Sequence, residues 1–266
     1  MQVSLSGYYK WKCSKDYVDS YEKAIVKNIQ SLQIKHKYRM GSERMTREYE
    51  RVYGQKFNHK RITRLMNKYG LNAVVRPKQK KYGVQRSVYT KNKLNRNFEG
   101  SVPYDKLATD ISEIKKSGRK VYISIIKDFY TKVIEALEIS YSPSLKLVVD
   151  TINQIIDKSI EYGTFFHSDQ GFQYTNPIVQ RILKDNNFLQ SMSRKGTPID
   201  NSPTESFFSV LKSELVYNKK IEIKNDKQLI QEIIEYIHYY NYERIQKGLG
   251  YLTPIEFKEK EMDKLK

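Results

Sequence analysis

Residues 106–139 read KLATDISEIKKSGRKVYISIIKDFYTKVIEALEI, and the placing of apolar residues in this stretch decides the fold. Segments 106–111, 121–129 and 133–139 are β-branched or alternating, and a Ser117-Gly118 pair or a few residues separate them, which predicts three consecutive antiparallel strands. Beyond them the period lengthens: a helix is expected near 145–163, a strand at 164–168, a helix near 177–186 and a short strand at 189–192. Three strands followed by alternating helix and strand predict an α/β fold, a mixed sheet with helices packed on it. Long helices are expected at about 203–217 and 226–243.

Upstream the text is helical. Tyr17, Tyr21, Ala24, Ile25 and Ile29 make a helical stripe over 16–34, and a second helix runs over 42–53 until Gly54 ends it. Asn58 caps a third, in which Ile62, Leu65, Met66 and Tyr69 form one apolar stripe closed by Gly70, with Arg61, Arg64 and Lys68 on the other side. Two helices joined through the GQKF turn, the second with a cationic face, fit a helix-turn-helix laid on DNA or, equally, a helical hairpin with solvated cations. From 76 to 97 there are eight basic residues and no acidic ones, which reads as a linker or an arm tracking a phosphate backbone. The expected division is therefore a small all-helical DNA-binding module at 1–75, a basic linker at 76–100 and the α/β body with its C-terminal helices at 101–266.

Charge follows the same division. Residues 1–100 hold 24 Lys or Arg against 7 Asp or Glu, and residues 101–266 hold 24 against 23, so the net charge of +18 is an N-terminal property. A basic module beside a nearly neutral body points to nucleic acid as the partner, because clustered cations gain from counterion release; the rival reading is a lysine-rich composition that decorates every surface. The single cysteine, Cys13, excludes an intramolecular disulfide and a thiolate-rich zinc site, and MQVSLSGYYKWK lacks the apolar core of a signal peptide. No stretch approaches the roughly 18 apolar residues a membrane span needs, so no membrane partner is expected and a cytoplasmic location is, nucleoid-associated when bound to DNA.

Three carboxylates stand out. Asp110, in LATDISEI, falls on a strand among Leu107, Ala108, Ile111 and Ile114, where an unpaired charge is costly and a cation would relieve the cost. Asp169 follows the expected strand TFFHS, at the carboxyl end where open α/β sheets place ligands. Glu205 lies early in a helix, with Ser209 and Lys212 following on its side and Phe207, Phe208, Val210 and Leu211 facing inward. Hard oxygen ligands converging from separate elements are what two-metal phosphodiester chemistry requires. Each acid also has a structural reading: Asp110 as a local turn cap, Asp169 opening a type I turn before Gly171, and Ser202 to Glu205 as a capping box with Pro203 at the first helical position.

Taken in order, ATDIS, HSDQGFQYTN and DNSPTESFFSVLKSE resemble the catalytic motifs of DDE transposases of insertion sequences whose catalytic subunit is the product of a second reading frame, in the integrase catalytic core superfamily. The 35 residues between Asp169 and Glu205 match that family's usual gap. The resemblance spans nearly the whole chain: VSLSGYYKWK resembles the family's start, NHKRITRLMNKYGLNA its helical DNA-binding segment, NRNF the entry to its core, and YNYERIQKGLGYLTPIEF its closing signature. Two positions depart from it, Leu107 where the family commonly has Trp and Gln246 where it commonly has His. The resemblance implies a ribonuclease-H-like core in which Asp110, Asp169 and Glu205 hold two Mg²⁺ ions, replaceable by Mn²⁺. It implies cleavage and strand transfer at element ends during DNA transposition and integration.

Further expectations attach to it. Lys212, Arg194 and Lys195 contact DNA phosphates or are solvated surface, Asn201 orients a neighbour, and His167 approaches the site or is an ordinary strand residue. The DNA partners are the element's terminal inverted repeats and the target, the active form is a homo-oligomer on DNA, and an upstream-frame product is fused to or associated with the chain. The rivals are a noncatalytic DNA-binding regulator and another two-metal nuclease on the same core.

Overall fold

The computed structural model describes residues 4–74, 100–156, 163–193 and 202–264, without the side chains of 11–19, 202 and 203. They fall into two compact units, Met1–Val75 and Arg76–Lys266, and no described helix is long and apolar enough to cross a membrane.

The first unit is three helices. Helix α1, Leu5–Lys35, starts eleven residues before the expected stripe, from an N-cap in which Ser4 Oγ accepts the Gly7 N–H at 3.2 Å. Its first turns leave Leu5, Tyr8 and Tyr9 exposed, so they carry no buried stripe for periodicity to detect. Helix α2, Ser42–Tyr53, ends on Gly54 at φ 66°, and α3, His59–Lys68, starts at Asn58, whose side chain accepts the Lys60 N–H. Ile25, Ile29 and Leu32 meet Met45, Tyr49, Ile62, Leu65 and Met66 in the core. The buried Gln33 amide donates to the carbonyls of Met40 at 2.8 Å and Leu71 at 2.7 Å, which closes the unit.

In the second unit a five-stranded sheet runs in the order β3-β2-β1-β4-β5. Strands β1 (Lys106–Lys116), β2 (Arg119–Asp128) and β3 (Ile134–Ser140) are antiparallel; β4 (Phe165–Ser168) and β5 (Leu189–Met192) add in parallel. Ser117 and Gly118, at φ 50° and 76°, give both central residues of the β1–β2 turn the positive φ of a type I′ hairpin. Strand β1 runs five residues past the segment expected from sequence, because Ile114 and Lys116 continue the inward alternation while Glu113 and Lys115 point out. The three-strand expectation and the α/β class both hold.

Both faces of the sheet are covered. Ile114, Val121, Ile123 and Ile125 pack on α7 (Ser202–Leu211) and α8 (Asp226–Tyr242) through Phe207, Phe208, Leu211, Ile233 and Tyr236. Leu107, Ile126 and Phe166 pack on the other side against α4 (Leu145–Ile156) and α6 (Pro177–Asp185). A one-turn helix, α5 (Phe172–Thr175), and a π-helical turn, Lys212–Val216, continuing α7 have no counterpart in the sequence reading. The buried Lys116 ammonium donates to the carbonyls of Leu215, Val216 and Asn218 at 2.8–3.0 Å, satisfying the π-turn's end. Burial holds this lysine below the usual range, with Glu232 acting against the shift. Residues 157–162, the expected end of α4, lie outside the described residues.

Candidate active site

Strand pairing brings two of the carboxylates side by side. In the β1–β4 register Ala108 pairs with His167, and Asp110 and Asp169 each lie two residues beyond that pair, Asp169 just past the end of β4, with its charge felt at Asp110. Asp110 shares its face of β1 with Ala108, Ser112 and Ile114, the face on which α7 packs. Glu205 is in the first turn of α7 and exposed. The apolar side of that helix, Phe207, Phe208 and Leu211, is locked into the sheet cluster and fixes its rotation.

The electrostatics agree with convergence. Burial pushes the Asp110 carboxyl up to about 7, the negative charges of Asp169 and Glu205 push the same way, and the Ile111 N–H and the Lys212 ammonium act against them. Glu205 is itself raised by what burial it has. Asp110 Oδ1 accepts the Ile111 N–H at 2.8 Å, and Asp169 Oδ1 accepts the Gly171 N–H at 2.9 Å, so among the described residues each acid keeps its second oxygen for another ligand. The Asp169 bond is a side-chain contact two residues on, and among the described residues no backbone bond of the type I turn foreseen for Asp169 is formed. Among the described residues no three acidic, histidine or cysteine side chains are already gathered tightly enough to enclose a metal ion. The two aspartates are neighbours, and Glu205 stands within Coulombic reach of Asp110.

Two residues support the pair, Gly171, which the sequence reading used only as part of a turn, and Tyr174, which it did not single out. Gly171 follows Asp169 so closely that a Cβ there would lie 2.9 Å from Asp169 Oδ1. Tyr174 on α5 is fully buried, its hydroxyl 3.1 Å from Thr109 Oγ1 on the strand bearing Asp110; its phenol is raised by burial, opposed by the Thr109 hydrogen bond. The GFQY text after Asp169 was the available signal, since a glycine and a tyrosine one turn apart mark a close approach and an inward ring.

The chain matches the integrase core domain model over residues 101–198, a second integrase core domain model over 205–262 and an HTH-like domain model over 20–79. It is 38% identical over 209 residues to an uncharacterized transposase-like protein of Haemophilus influenzae, covering 78% of this chain and 96% of that one. It is 34% identical to the transposase for insertion sequence element IS904 of Lactococcus lactis, covering 84% and 89% of the two chains. The chain belongs to the insertion-sequence transposases. The transposase InsF for insertion sequence IS3A of Escherichia coli is 26% identical over 98% of this chain and 92% of its own.

This transposase is accordingly a DDE polynucleotidyl transferase of the integrase core superfamily, with a ribonuclease-H-like sheet and an HTH-like, DNA-binding N-terminal region, acting in transposition and integration. Its other expected site residues fall as follows. His167 is fully buried between β1 and β5, with Nδ1 3.1 Å from Ser191 Oγ, a strand residue's environment. Lys212 opens the π-turn and is the cation felt by Asp110. Arg194, Lys195 and Asn201 lie outside the described residues, as does the Ser202 side chain on which a capping box would depend.

In the N-terminal unit, Arg64 Nη2 and Lys68 Nζ both donate to the carboxylate of the buried Glu22, at 3.0 and 2.6 Å, with Tyr69 as a third donor at 3.2 Å. These bonds, Lys68 foremost, hold the Glu22 carboxyl down at about 2. Arg61 lies over the Tyr21 and Phe57 rings at 5.3 and 5.1 Å. The cationic side of α3 is therefore held by contacts within the unit, although the Arg64 and Lys68 side chains stay more than half exposed.

Proposed function

We propose that Asp110, Asp169 and Glu205 are the acidic triad of this transposase and hold two Mg²⁺ ions, or Mn²⁺ in their place, to cleave element ends and join them to target DNA. The observation that carries the proposal is the Asp110 carboxyl, set beside Asp169 by strand register and pushed up to about 7 by burial and by two like charges. Hard carboxylate oxygens suit Mg²⁺, and a cation removes the repulsion that burial imposes on them. Held by Asp110, Asp169 and Glu205, such ions would supply activation of a water or a 3′-hydroxyl as nucleophile and stabilisation of the leaving oxygen.

The protein's own part is positioning. Strand β1 and the end of β4 fix the two aspartates on the sheet, the Gly171 N–H orients Asp169, and α7 presents Glu205 at their margin. Lys212, near the carboxylates, with Arg194 and Lys195 before α7, contacts phosphates of the bound strand. Region 1–75, through Arg61, Arg64 and Lys68, and the basic segment 76–100 hold the terminal inverted repeats, while 101–266 is the catalytic body. The working form is a homo-oligomer on DNA in the bacterial cytoplasm, completed by the upstream-frame product. Asn201 and His167 take supporting places, His167 from within the sheet.

The test is Asp169→Asn on labelled end fragments carrying the element's termini. Strand cleavage in Mg²⁺ is expected to vanish while DNA affinity changes less than about threefold, because binding charge resides in the N-terminal region. Cleavage at the wild-type rate would remove Asp169 from the triad.

A further inference from the structure

A cavity of about 460 Å³ lies beside α7, on the side of that helix turned from Glu205. Its walls include Lys127, Lys132, Arg244 and Gln246, with Phe207 and Tyr240 as apolar backing, and among the described residues that line it none is acidic. Lys127 Nζ sits 5.8 Å from both ring centroids, and the Arg244 guanidinium is 5.8 Å from the Tyr240 ring. Arg244 is held from behind: Nε and Nη2 donate to Glu214 at 2.9–3.2 Å, and Tyr236 Oη donates to the same carboxylate at 3.1 Å. Among the described residues its Nη1 has no such partner. Among the described residues Gln246 Nε2 is buried without a hydrogen-bond partner, a cost that a ligand acceptor would relieve.

The cavity's position matters as much as its lining. Lys127 pairs with Ala108 on β1, two residues from Asp110 on the same face, a displacement of about 7 Å along the strand. Ser206, on the rim, directly follows Glu205. We infer that this cavity binds a backbone phosphate of the DNA strand close to the reacting one, with Lys127, Lys132 and Arg244 supplying positive charge and Gln246 a directed N–H. Lys127, fixed by rings, and Arg244, fixed by a buried ion pair, cannot follow a mobile anion, and the Lys132 ammonium is held by the Phe129 carbonyl, so the pocket sets where the strand lies relative to the carboxylates. The inference rests on the reading of the chain as an enzyme that cuts DNA.

The test couples a neutral phosphate in the DNA to a change in the pocket. End fragments carry single methylphosphonates at successive positions flanking the cleaved bond, and binding and cleavage are measured with the full-length wild type, Lys132→Asn and Gln246→Leu. Asn is chosen because Lys132 sits at φ 65°, which asparagine tolerates, and Gln246→Leu provides the measurement if Lys132→Asn does not fold. One position is expected at which neutralisation weakens wild-type binding about tenfold and either variant less than about twofold. Wild-type binding and cleavage with no coupled position overturns the pocket and leaves the DNA-cutting reading intact. Coupling without cleavage supports the pocket and sinks the chemistry. No DNA binding at all overturns both.

Discussion

Replacing Asp110 by asparagine should stabilise the metal-free catalytic unit, in a pH-dependent way. An aspartate ordinarily ionises near 3.8, and here the folded state holds its proton up to about 7. Between those values the folded protein binds a proton that the unfolded chain has released, so stability falls as pH rises through this window and the full penalty is present above about 7. The difference corresponds to about 4 kcal/mol as an upper bound, and half of that is a reasonable working value once relaxation is allowed. Asparagine keeps an oxygen for the Ile111 N–H and carries no charge. In EDTA at pH 8 the variant should melt about 4–8 °C above wild type, with the gap closing below pH 4. Saturating Mg²⁺ should raise the wild type and leave the variant nearly unmoved. Thermal unfolding followed by circular dichroism from pH 4 to 8, with and without Mg²⁺, gives all of these numbers. Equal melting at pH 8 in EDTA would refute the reasoning, because a carboxylate crowded by Asp169 and Glu205 cannot be removed without relief.

Three other substitutions probe separate parts of the design. Gly171→Ala places a methyl 2.9 Å from Asp169 Oδ1, so cleavage should fall by about 10–100-fold with little change in melting; full activity would show that Asp169 can shift freely. Glu22→Gln removes the acceptor shared by Arg64, Lys68 and Tyr69. In the wild type that carboxylate contributes stability above its unfolded value near 4.5, lost as pH falls toward 2, so the variant's melting should be lower at pH 7 and flatter between pH 5 and 2, and an unchanged acid profile would dismiss the contact. Arg244→Met leaves the Glu214 carboxylate buried without its ion pair and should cost about 3–5 kcal/mol in urea unfolding, while Glu214→Gln with Arg244→Met should recover part of it; no recovery would deny the pairing.

The sheet was readable from local text because a type I′ turn requires residues that accept positive φ, and Ser117-Gly118 between two alternating runs is such a signal. Asp110 and Asp169 were readable as candidates from their places on a strand and just after one. Their adjacency was not, since it depends on the parallel β1–β4 pairing across 59 residues of sequence. The family's motif text, not spacing, joined them. The N-terminal cations show the opposite limit: a helical wheel puts Arg64 and Lys68 on the solvent side, and only tertiary packing brings Glu22, 42 and 46 residues away, underneath them. The start of α1 was missed because exposed turns have no apolar period, and the π-turn because one added residue leaves no period of its own.

That π-turn bears on how such a chain tolerates insertion and deletion. A helix that takes on one surplus residue as a local widening avoids passing the 100° of added rotation to what lies beyond it. Upstream of Lys212 the phase is set by Phe207, Phe208 and Leu211 against the sheet, and downstream by the Lys116 ammonium clasping Leu215, Val216 and Asn218. Deleting one residue such as Ser213 would straighten the segment into ordinary α-helix and force a choice between those two anchors. Either Glu205 swings away from Asp110, or the clasp at the hairpin end opens and α8 follows; the widened turn is the compensator that lets one acid keep its bearing while the chain beyond it keeps its own.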